Sequence, residues 1–147
     1  MKIFIINGPN LNMLGIREPS HYGKTDYTTL VASLTDHCKR LSVDAEFYQS
    51  NHEGDLVDCI QRAYFEGADG IVINPGAYTH TSIALLDAIK STSLPTVEIH
   101  ISDINAREEF RKISYIRSAC LKTISGRGVQ GYFDAVDDLV AYIKGAL

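Results

Sequence analysis

The sequence predicts an α/β fold in which helices cover both faces of a parallel β-sheet. Short apolar runs alternate along the chain with stretches whose apolar residues recur at helical spacing. The run at residues 70–73 is unbroken and apolar, as expected for a central strand covered on both faces. No repeat or low-complexity linker interrupts this alternation, so one domain spanning residues 1–147 is expected.

The predicted elements follow one another in a regular strand–helix order. Five strands are predicted at residues 3–6, 43–47, 70–73, 96–99 and 121–124. A closing helix is predicted at residues 133–143. Three earlier helices are predicted from apolar stripes, which are Leu30, Leu34, Cys38 and Leu41; Leu56, Ile60, Ala63 and Tyr64; and Ile83, Leu86 and Ile89. Gly67 is expected to close the second helix, and Thr81 or Ser82 is expected to cap the third.

The predicted strands are expected to run parallel, because strands separated by helices form parallel sheets. For five strands the natural arrangement is the flavodoxin-like order 2-1-3-4-5. Ligands of such sheets bind beyond the carboxyl ends of the strands, where the order reverses. Polar residues follow these ends: Asn10 after strand one, Asn74 after strand three and His100 after strand four. The sequence therefore predicts an active site at this edge, with Asn10 and Asn74 close together.

Composition and charge narrow the classes of function. The chain is 45% hydrophobic and 22% charged, as in ordinary globular domains. Its formal net charge of −4 argues against nucleic acid or an anionic membrane as the main partner. There is no signal-peptide pattern and no apolar stretch of membrane-spanning length, so a cytoplasmic location is expected.

The cysteines are predicted to be buried free thiols rather than disulfide partners. Cys38, Cys59 and Cys120 are odd in number, widely separated, and form no CxxC pair. The first two are expected on apolar helix faces and Cys120 in a strand.

One motif matches a dinucleotide-binding fingerprint. Residues 126–131 read Gly-Arg-Gly-Val-Gln-Gly, which fits GxGxxG between a predicted strand and a predicted helix. The sequence ends after that helix, so no βαβ unit and no acidic partner for a ribose are expected. The glycines are therefore interpreted as a tight strand-to-helix turn.

Two other roles common in this architecture are disfavoured. The loop after strand one contains Pro9, which has no amide donor, and no Ser/Thr-rich phosphate cradle follows it. A phosphorelay receiver needs an aspartate at the end of strand three, where this chain has Asn74. A flavodoxin-like binding or signalling module is thus the weaker alternative.

A tyrosine and an arginine lie in the same polar loop, which spans residues 11–23 and is expected to close over substrate. A free tyrosine has a pKa near 10, so only about 0.1% is phenolate at neutral pH. An arginine within ~4–6 Å would lower that pKa by roughly 1–3 units and make the phenolate a usable general base. Arg17 and Tyr22 also have ordinary interpretations, as a surface partner of Glu18 and as a packing residue.

Glu98 and His100 lie two residues apart on strand four, so their side chains point to the same face. A carboxylate there would orient the imidazole and raise its basicity, although a core histidine satisfied by its neighbour is the ordinary interpretation. With His80, the pair could instead hold a metal in a lyase or hydrolase, but no known metal-motif spacing occurs. Arg111 could bind a substrate carboxylate bidentately, or belong to a solvated helix face.

The polar motifs recur as a linked set along essentially the whole chain. They are residues 7–12 (NGPNLN), 14–19 (LGIREP), 22–23 (YG), 74–76 (NPG), 79–82 (THTS), 98–102 (EIHIS), 107–111 (REEFR) and 131–132 (GY). In this order and at this spacing, they closely resemble the motifs of the type II 3-dehydroquinate dehydratases.

The resemblance implies the flavodoxin-like fold and a reaction that removes water from 3-dehydroquinate to give 3-dehydroshikimate, by anti elimination through an enolate, with no metal or cofactor. By matching position, it implies that Tyr22 is the base that takes a proton from C2, kept ionised by Arg17. His100 would protonate the departing C1 hydroxyl, with Glu98 orienting it. The resemblance implies that Asn10 holds the water that stabilises the enolate oxygen. The implied substrate contacts are Asn74, His80, Asp87, Ile101, Ser102 and Arg111.

The resemblance also implies trimers assembled into dodecamers, in which Asp87 reaches the site of a neighbouring subunit. Three positions depart from the family's usual residues. Asp103 stands where asparagine is common, while Lys122 and Arg127 replace small or apolar residues. These three residues are expected to alter the contacts between subunits near the fifth strand. The implied step serves both shikimate synthesis, which leads to aromatic amino acids, and quinate breakdown, and the sequence leaves both roles open.

Overall fold

The computed structural model describes residues 1–16 and 24–146, so Arg17 and Tyr22 lie outside the described residues. A five-stranded sheet forms the centre of the described structure. Its strands are β1 (Lys2–Asn7), β2 (Asp44–Gln49), β3 (Gly70–Asn74), β4 (Thr96–His100) and β5 (Lys122–Ser125). All neighbouring strands are parallel, in the order β2-β1-β3-β4-β5. The predicted flavodoxin-like order is confirmed.

Four α-helices flank the sheet within the described ranges. They are α1 (Tyr27–Arg40), α2 (Glu53–Phe65), α3 (Ile83–Thr92) and α4 (Gln130–Ile143). Helices α1 and α4 pack on one face, in a core that contains Ile5, Leu34 and Val136. Helices α2 and α3 pack on the other face, in a core that contains Ile6 and Ile60. The sheet therefore separates two apolar cores, and β3 is buried at every position.

Side-chain caps fix where two of the helices begin. The Asp26 carboxylate accepts a hydrogen bond from the Thr29 N–H at 2.7 Å, ahead of α1. Before α3, the Ser82 hydroxyl accepts from the Leu85 N–H at 3.0 Å. Ser82 rather than Thr81 is therefore the cap of α3.

The apolar stripes predicted for two helices do not match their buried faces at every position. In α3, Ile83 is 49% exposed, and the buried side is formed by Leu85, Ala88 and Ile89. In α2, Tyr64 is 54% exposed. These two predictions are wrong because an apolar-rich helix offers more than one possible stripe, and its contact with the sheet selects among them.

The glycine motif at residues 126–131 forms a tight turn between β5 and α4. Gly126 has a φ of +78°, a conformation that favours glycine. The Gly126 N–H donates to the Ser102 carbonyl at 3.1 Å. A side chain at Gly131 would place its Cβ 2.5 Å from Ile99 Cδ1, so this glycine allows α4 to pack closely on β4. This geometry agrees with the turn interpretation.

The three cysteines are free thiols. Cys38 and Cys59 are buried on the helix faces where they were predicted, and burial raises the pKa of each thiol to about 11. Cys120 is half-buried and precedes β5 instead of lying in a strand, because a 3-10 turn at Ile116–Ala119 delays the start of β5. Across the described ranges, each helix is too short or too polar to cross a membrane.

Candidate active site

A cleft lies across the carboxyl ends of β1, β3 and β4. The empty space in it, including open solvent at its mouth, is about 660 Å³. The residues predicted from the sequence that line it are Asn10, Asn74, His80, His100, Ile101, Ser102 and Arg111. The structure thus brings Asn10 and Asn74 together where the strand order reverses, as the sequence predicts.

The floor of the cleft depends on close contact between the loops that follow β1 and β3. Asn7 and Asn74 are register partners at the ends of these strands. The Gly8 N–H donates to the Asn74 carbonyl at 2.8 Å. A Cβ at Gly8 would stand 2.5 Å from the Pro75 carbonyl oxygen, so a residue without a side chain is needed for this approach.

Glu98 and His100 form a buried pair at the end of β4. His100 Nε2 lies 2.6 Å from Glu98 Oε1, and the two side chains are 5% and 0% exposed. Because the carboxylate engages Nε2, Nδ1 is the ring nitrogen that remains for a ligand in the cleft. The pair can therefore orient an imidazole that exchanges a proton with that ligand.

Three hydroxyl groups complete the surroundings of the Glu98 carboxylate. Thr79 Oγ1 and Ser114 Oγ donate to Oε1 at 2.6 and 2.8 Å, and Thr123 Oγ1 donates to Oε2 at 2.8 Å. Burial by itself raises the pKa of Glu98, but the hydrogen bond from His100, the charge of His100 and the hydrogen bonds from Thr79 and Ser114 outweigh it. The net effect lowers the pKa to about 2, so Glu98 is ionised at neutral pH.

Glu98→Gln tests whether this carboxylate is held as an anion. A carboxyl whose pKa is about 2 when folded and about 4.5 when unfolded stabilises the fold above pH 4.5, and this stabilisation is lost as pH falls towards 2. We expect Glu98→Gln to lower the free energy of unfolding at pH 7 by about 3 kcal/mol, with the difference closing between pH 4.5 and pH 2. Urea titrations at fixed protein concentration over this pH range measure it.

The matched control is Glu109→Gln, because the Glu109 side chain is 86% exposed. This variant should follow the wild-type stability curve at every pH. A difference between wild type and Glu98→Gln that stays constant down to pH 2 would contradict the assignment of a depressed pKa to Glu98.

His80 lies in the cleft wall as a neutral imidazole. Its Nδ1 lies 2.6 Å from the Ile113 carbonyl, which only accepts hydrogen bonds, so Nδ1 carries the proton. Burial lowers the pKa of His80, and the positive charges of His100 and Arg111 act in the same direction. Nε2 is then unprotonated, and it can accept a hydrogen bond from a ligand hydroxyl.

Asn10 is held in an unusual backbone conformation at the edge of the cleft. Its φ is +69°, in the left-handed region, which asparagine tolerates better than most residues. The Asn10 N–H donates to Asn51 Oδ1 at 3.0 Å. Gln49 Nε2 donates to the same oxygen at 3.1 Å and to the Gly8 carbonyl at 3.1 Å. The last residue of β2, Gln49, and Asn51 beyond it therefore fix the loop that brings Asn10 to the cleft.

Two arginines supply positive charge to the cleft. Arg111 lies on a 3-10 turn (Glu109–Lys112), and its Nε donates to Glu108 at 2.7 Å. The side chains of Arg111 and Arg107 are only 21% and 11% exposed, so the solvated-helix interpretation of Arg111 does not hold. Arg107 also lines the cleft, although it is not among the predicted site residues. Both guanidinium groups favour an anionic ligand.

Of the predicted site residues that the structure describes, two do not line the cleft. Glu98 is fully buried beside His100. Asp87 is exposed on α3 and is not among the described residues that line this cleft. Arg17 and Tyr22 fall outside the described residues, so their predicted geometry stays a prediction.

The positions that depart from the family pattern have partners within the chain. Lys122 Nζ lies 2.6 Å from Asp138, and Arg127 lies 3.0 Å from Asp134. Asp103 Oδ1 accepts from the Asn105 N–H at 3.0 Å, where a short 3-10 turn begins. The expected effect of these residues on subunit contacts stays a prediction.

Sequence reasoning missed the residues that support the predicted ones. Thr123 is the register partner of Glu98 on β5, so the strand order could have placed its hydroxyl beside the carboxylate. Thr79 reaches Glu98 from a 3-10 helix (Gly76–His80) and Ser114 from a loop, and no periodic pattern positions either. Tyr132, fully buried on α4, bonds to Asn74 and Asn7. The motif at residues 131–132 includes its position, but the sequence does not show what its hydroxyl contacts.

His80, Glu98 and His100 are held by hydrogen bonds within the chain. Both Glu98 oxygens accept hydrogen bonds, and His80 Nδ1 is bound to a carbonyl group. Among the residues whose positions are described, no group of three or more His, Cys, Asp or Glu side chains could hold a metal ion. The hydrogen bonds account for the observed arrangement of the three residues.

Comparison with known proteins identifies the family. The model of the class II dehydroquinase family matches residues 1–140. The chain is 53% identical over 135 residues to the 3-dehydroquinate dehydratase of Caldicellulosiruptor bescii, covering 92% of this chain and 93% of that protein. It is 50% identical over 144 residues to the Clostridium perfringens enzyme of the same name, covering 98% and 99%.

A solved structure agrees with these matches. The type II dehydroquinase of Butyrivibrio crossotus superposes with a TM-score of 0.93 at 54% identity, covering 95% of this chain and 97% of that one. The fold, the cleft at the strand ends and the sequence matches over nearly the whole chain lead to one assignment. The chain belongs to the class II dehydroquinase family.

Proposed function

We propose that this chain converts 3-dehydroquinate to 3-dehydroshikimate and water, without a metal or cofactor. Family membership makes it an enzyme of the 3-dehydroquinate dehydratase type. The observation that carries the proposal is the buried Glu98–His100 pair, which presents an oriented imidazole to a cleft containing arginine and asparagine side chains. Such a site suits a hydroxylated carboxylic acid that must lose a hydroxyl group.

The first step is removal of a proton from C2, beside the C3 ketone. Tyr22, as a phenolate stabilised by Arg17, takes this proton, and the electron pair moves onto the ketone oxygen to form an enolate. A water held by Asn10 donates a hydrogen bond to that oxygen. Donors aimed at a developing oxyanion are usually the largest contribution to such a step.

The second step is loss of the C1 hydroxyl group. The enolate electrons return to form the C1–C2 double bond, the C1–O bond breaks, and His100 supplies the proton that turns the departing hydroxyl into water. Glu98 fixes the orientation of the His100 ring through its hydrogen bond with Nε2. An acid and a base placed in this way contribute typically about 10²–10⁴-fold each.

The remaining cleft residues position the substrate. Arg111 and the backbone amides of Ile101 and Ser102 bind the carboxylate and nearby hydroxyl groups, which suits the positive charge on that side of the cleft. The neutral His80 accepts from a hydroxyl through Nε2, and the amide of Asn74 makes a further contact.

A metal-dependent lyase or hydrolase is the rival reaction, and one assay separates the two. Protein treated with EDTA is mixed with 3-dehydroquinate, and ultraviolet absorbance follows the conjugated enone of the product. We expect a full rate, equal to that of untreated protein. No absorbance rise with untreated protein would contradict the dehydratase proposal, and a rise abolished by EDTA would favour the metal-dependent reaction.

Arg17→Ala tests the role of the arginine. Loss of the positive charge should raise the pKa of Tyr22, so the basic group seen in the profile of kcat/KM against pH moves to higher pH by roughly 1–3 units. Arg17→Lys keeps the charge and is the matched control, with a smaller shift expected. A profile that does not move in Arg17→Ala would count against the Arg17–Tyr22 charge pair.

We further propose that the chain assembles into trimers and dodecamers, with Asp87 of one subunit reaching the cleft of its neighbour. The exposure of Asp87 on α3, away from the described cleft lining of its own chain, supports this arrangement. Light scattering of the purified protein measures the assembly. The cellular role is shikimate synthesis or quinate breakdown, since both use this step.

A further inference from the structure

We infer that Tyr132 is a positioning residue, whose buried hydroxyl sets the orientation of the Asn74 amide in the cleft through a directed chain of hydrogen bonds. The inference rests on the proposed function, in which Asn74 contacts the substrate. Tyr132 lies on α4, behind the sheet ends, and is 0% exposed, while Asn74 and Asn7 are 3% and 1% exposed. The chain of hydrogen bonds that joins them is closed to solvent.

The direction of every hydrogen bond in the chain follows from one backbone donor. The Gly76 N–H can only donate, and it lies 3.1 Å from Asn74, so Oδ1 is the Asn74 atom that faces it. Asn74 Nδ2 is then the atom that faces Tyr132, and it donates to the hydroxyl oxygen at 2.9 Å. Asn74 is thus held at both ends of its amide, and its second Nδ2 hydrogen is left for a ligand.

The proton of Tyr132 must then point away from Asn74. It is donated to Asn7 Oδ1 at 2.6 Å, which leaves Asn7 Nδ2 to donate to the Tyr27 hydroxyl at 3.4 Å. Burial raises the pKa of Tyr132 strongly, so this proton stays in place at any working pH. Reversing these hydrogen bonds would turn the Asn74 amide nitrogen towards the Gly76 N–H, so that two donors would face each other. The directions of the hydrogen bonds are therefore fixed.

Removing the Tyr132 hydroxyl would leave the Asn74 Nδ2 donor buried without that partner. Buried donors that lose their partner shift to find another, and the Asn74 amide plane would rotate away from its substrate-binding position. The consequence should appear in substrate binding rather than in proton transfer. This separates a positioning role for Tyr132 from a catalytic one.

The test is a double-mutant cycle between Tyr132→Phe and Asn74→Ala. In the wild-type background, Tyr132→Phe should lower kcat/KM about tenfold, mainly through a higher KM, with an unchanged pH profile. In the Asn74→Ala background, the same change should alter kcat/KM less than about twofold, since the residue that Tyr132 positions is absent. An equal loss of kcat/KM in both backgrounds would overturn the inference.

The matched control is Tyr142→Phe, which removes the same kind of hydroxyl from the same helix, at a residue that is 44% exposed and outside these hydrogen bonds. It leaves the Asn74–Tyr132 hydrogen bond intact, so kcat/KM should stay within about twofold of wild type. A tenfold loss in Tyr142→Phe would contradict an effect directed at Asn74. Circular dichroism and light scattering establish that each variant is folded and assembled.

A second variant and a crystal structure test the inference if Tyr132→Phe does not fold or if the wild-type protein lacks the proposed activity. If Tyr132→Phe does not fold, Asn7→Ala removes the acceptor of the Tyr132 proton, and its loss of kcat/KM should likewise vanish in the Asn74→Ala background. If the wild-type protein fails to dehydrate 3-dehydroquinate, the proposed function fails by itself. A crystal structure of Tyr132→Phe then decides the inference, since an Asn74 amide plane that superposes on that of wild type would overturn it.

Discussion

Tyr22→Phe should lower kcat by at least about 10³-fold while substrate binding stays measurable. The substitution removes only the phenol oxygen, so the aromatic ring is kept and, under the proposed mechanism, the base that takes the C2 proton is lost. General bases contribute typically about 10²–10⁴-fold, and no other group in the described cleft is proposed to replace this one. Initial rates from the enone absorbance measure kcat, and isothermal titration calorimetry measures binding.

Tyr142→Phe provides a matched control for this variant too, since it makes the same chemical change at an exposed residue with no proposed proton-transfer role. It should turn over at close to the wild-type rate. A near-normal kcat in Tyr22→Phe would remove Tyr22 from the mechanism.

His100→Ala should lower kcat by about 10²–10⁴-fold, because the departing C1 hydroxyl would leave without a proton. The loss should exceed that of His80→Ala, although both imidazoles line the same cleft. His80 is neutral, with its proton committed to the Ile113 carbonyl, so its removal takes away a substrate contact and should act mainly on KM. Steady-state kinetics of both variants compare the two histidines directly.

The result that would contradict this assignment is the reverse pattern. A larger kcat loss in His80→Ala than in His100→Ala would make His80 the acid and leave the Glu98–His100 pair as a structural element. Substrate binding to His100→Ala, measured by calorimetry, shows whether the cleft is intact.

Most of the fold could be predicted from the sequence, because its patterns are local and repeated. The unbroken apolar run of β3 and the alternation of strands with helices were sufficient for the sheet order, which is confirmed. The errors concern which side of a helix is buried. Ile83 and Tyr64 lie at helical spacing from buried residues, yet they face outward, and only packing against the sheet decides between adjacent stripes.

The predictable part of the site is the part attached to strand ends. Glu98 and His100 share a face of β4 because alternate residues of a strand do, and their contact at 2.6 Å follows from that geometry. The supporting residues depend on tertiary contacts that leave little trace in the sequence. Thr79 comes from a short 3-10 helix and Ser114 from a loop, and the Tyr132 hydroxyl reaches Asn74 from a helix 58 residues away in sequence.

The predicted family and enzyme class are confirmed, while the roles of individual residues remain predictions. Family motifs identify positions, and the structure adds the reasons why several of these positions can act. His80 has its proton committed to a carbonyl, Glu98 is held as an anion, and Asn10 is fixed by Asn51. These contacts are the physical basis of the mechanism proposed for the chain.

Exchange of the C2 hydrogen with solvent deuterium tests most directly whether Tyr22 takes the proton and His100 gives one. His100→Ala and Tyr22→Phe are each incubated with 3-dehydroquinate in D₂O, and the unreacted substrate is examined by mass spectrometry and NMR against a sample without protein. The mechanism predicts deuterium at C2 with His100→Ala, where the enolate forms but cannot lose water, and none above background with Tyr22→Phe. Enzyme-dependent exchange in Tyr22→Phe, or its absence in His100→Ala, would contradict this division of roles.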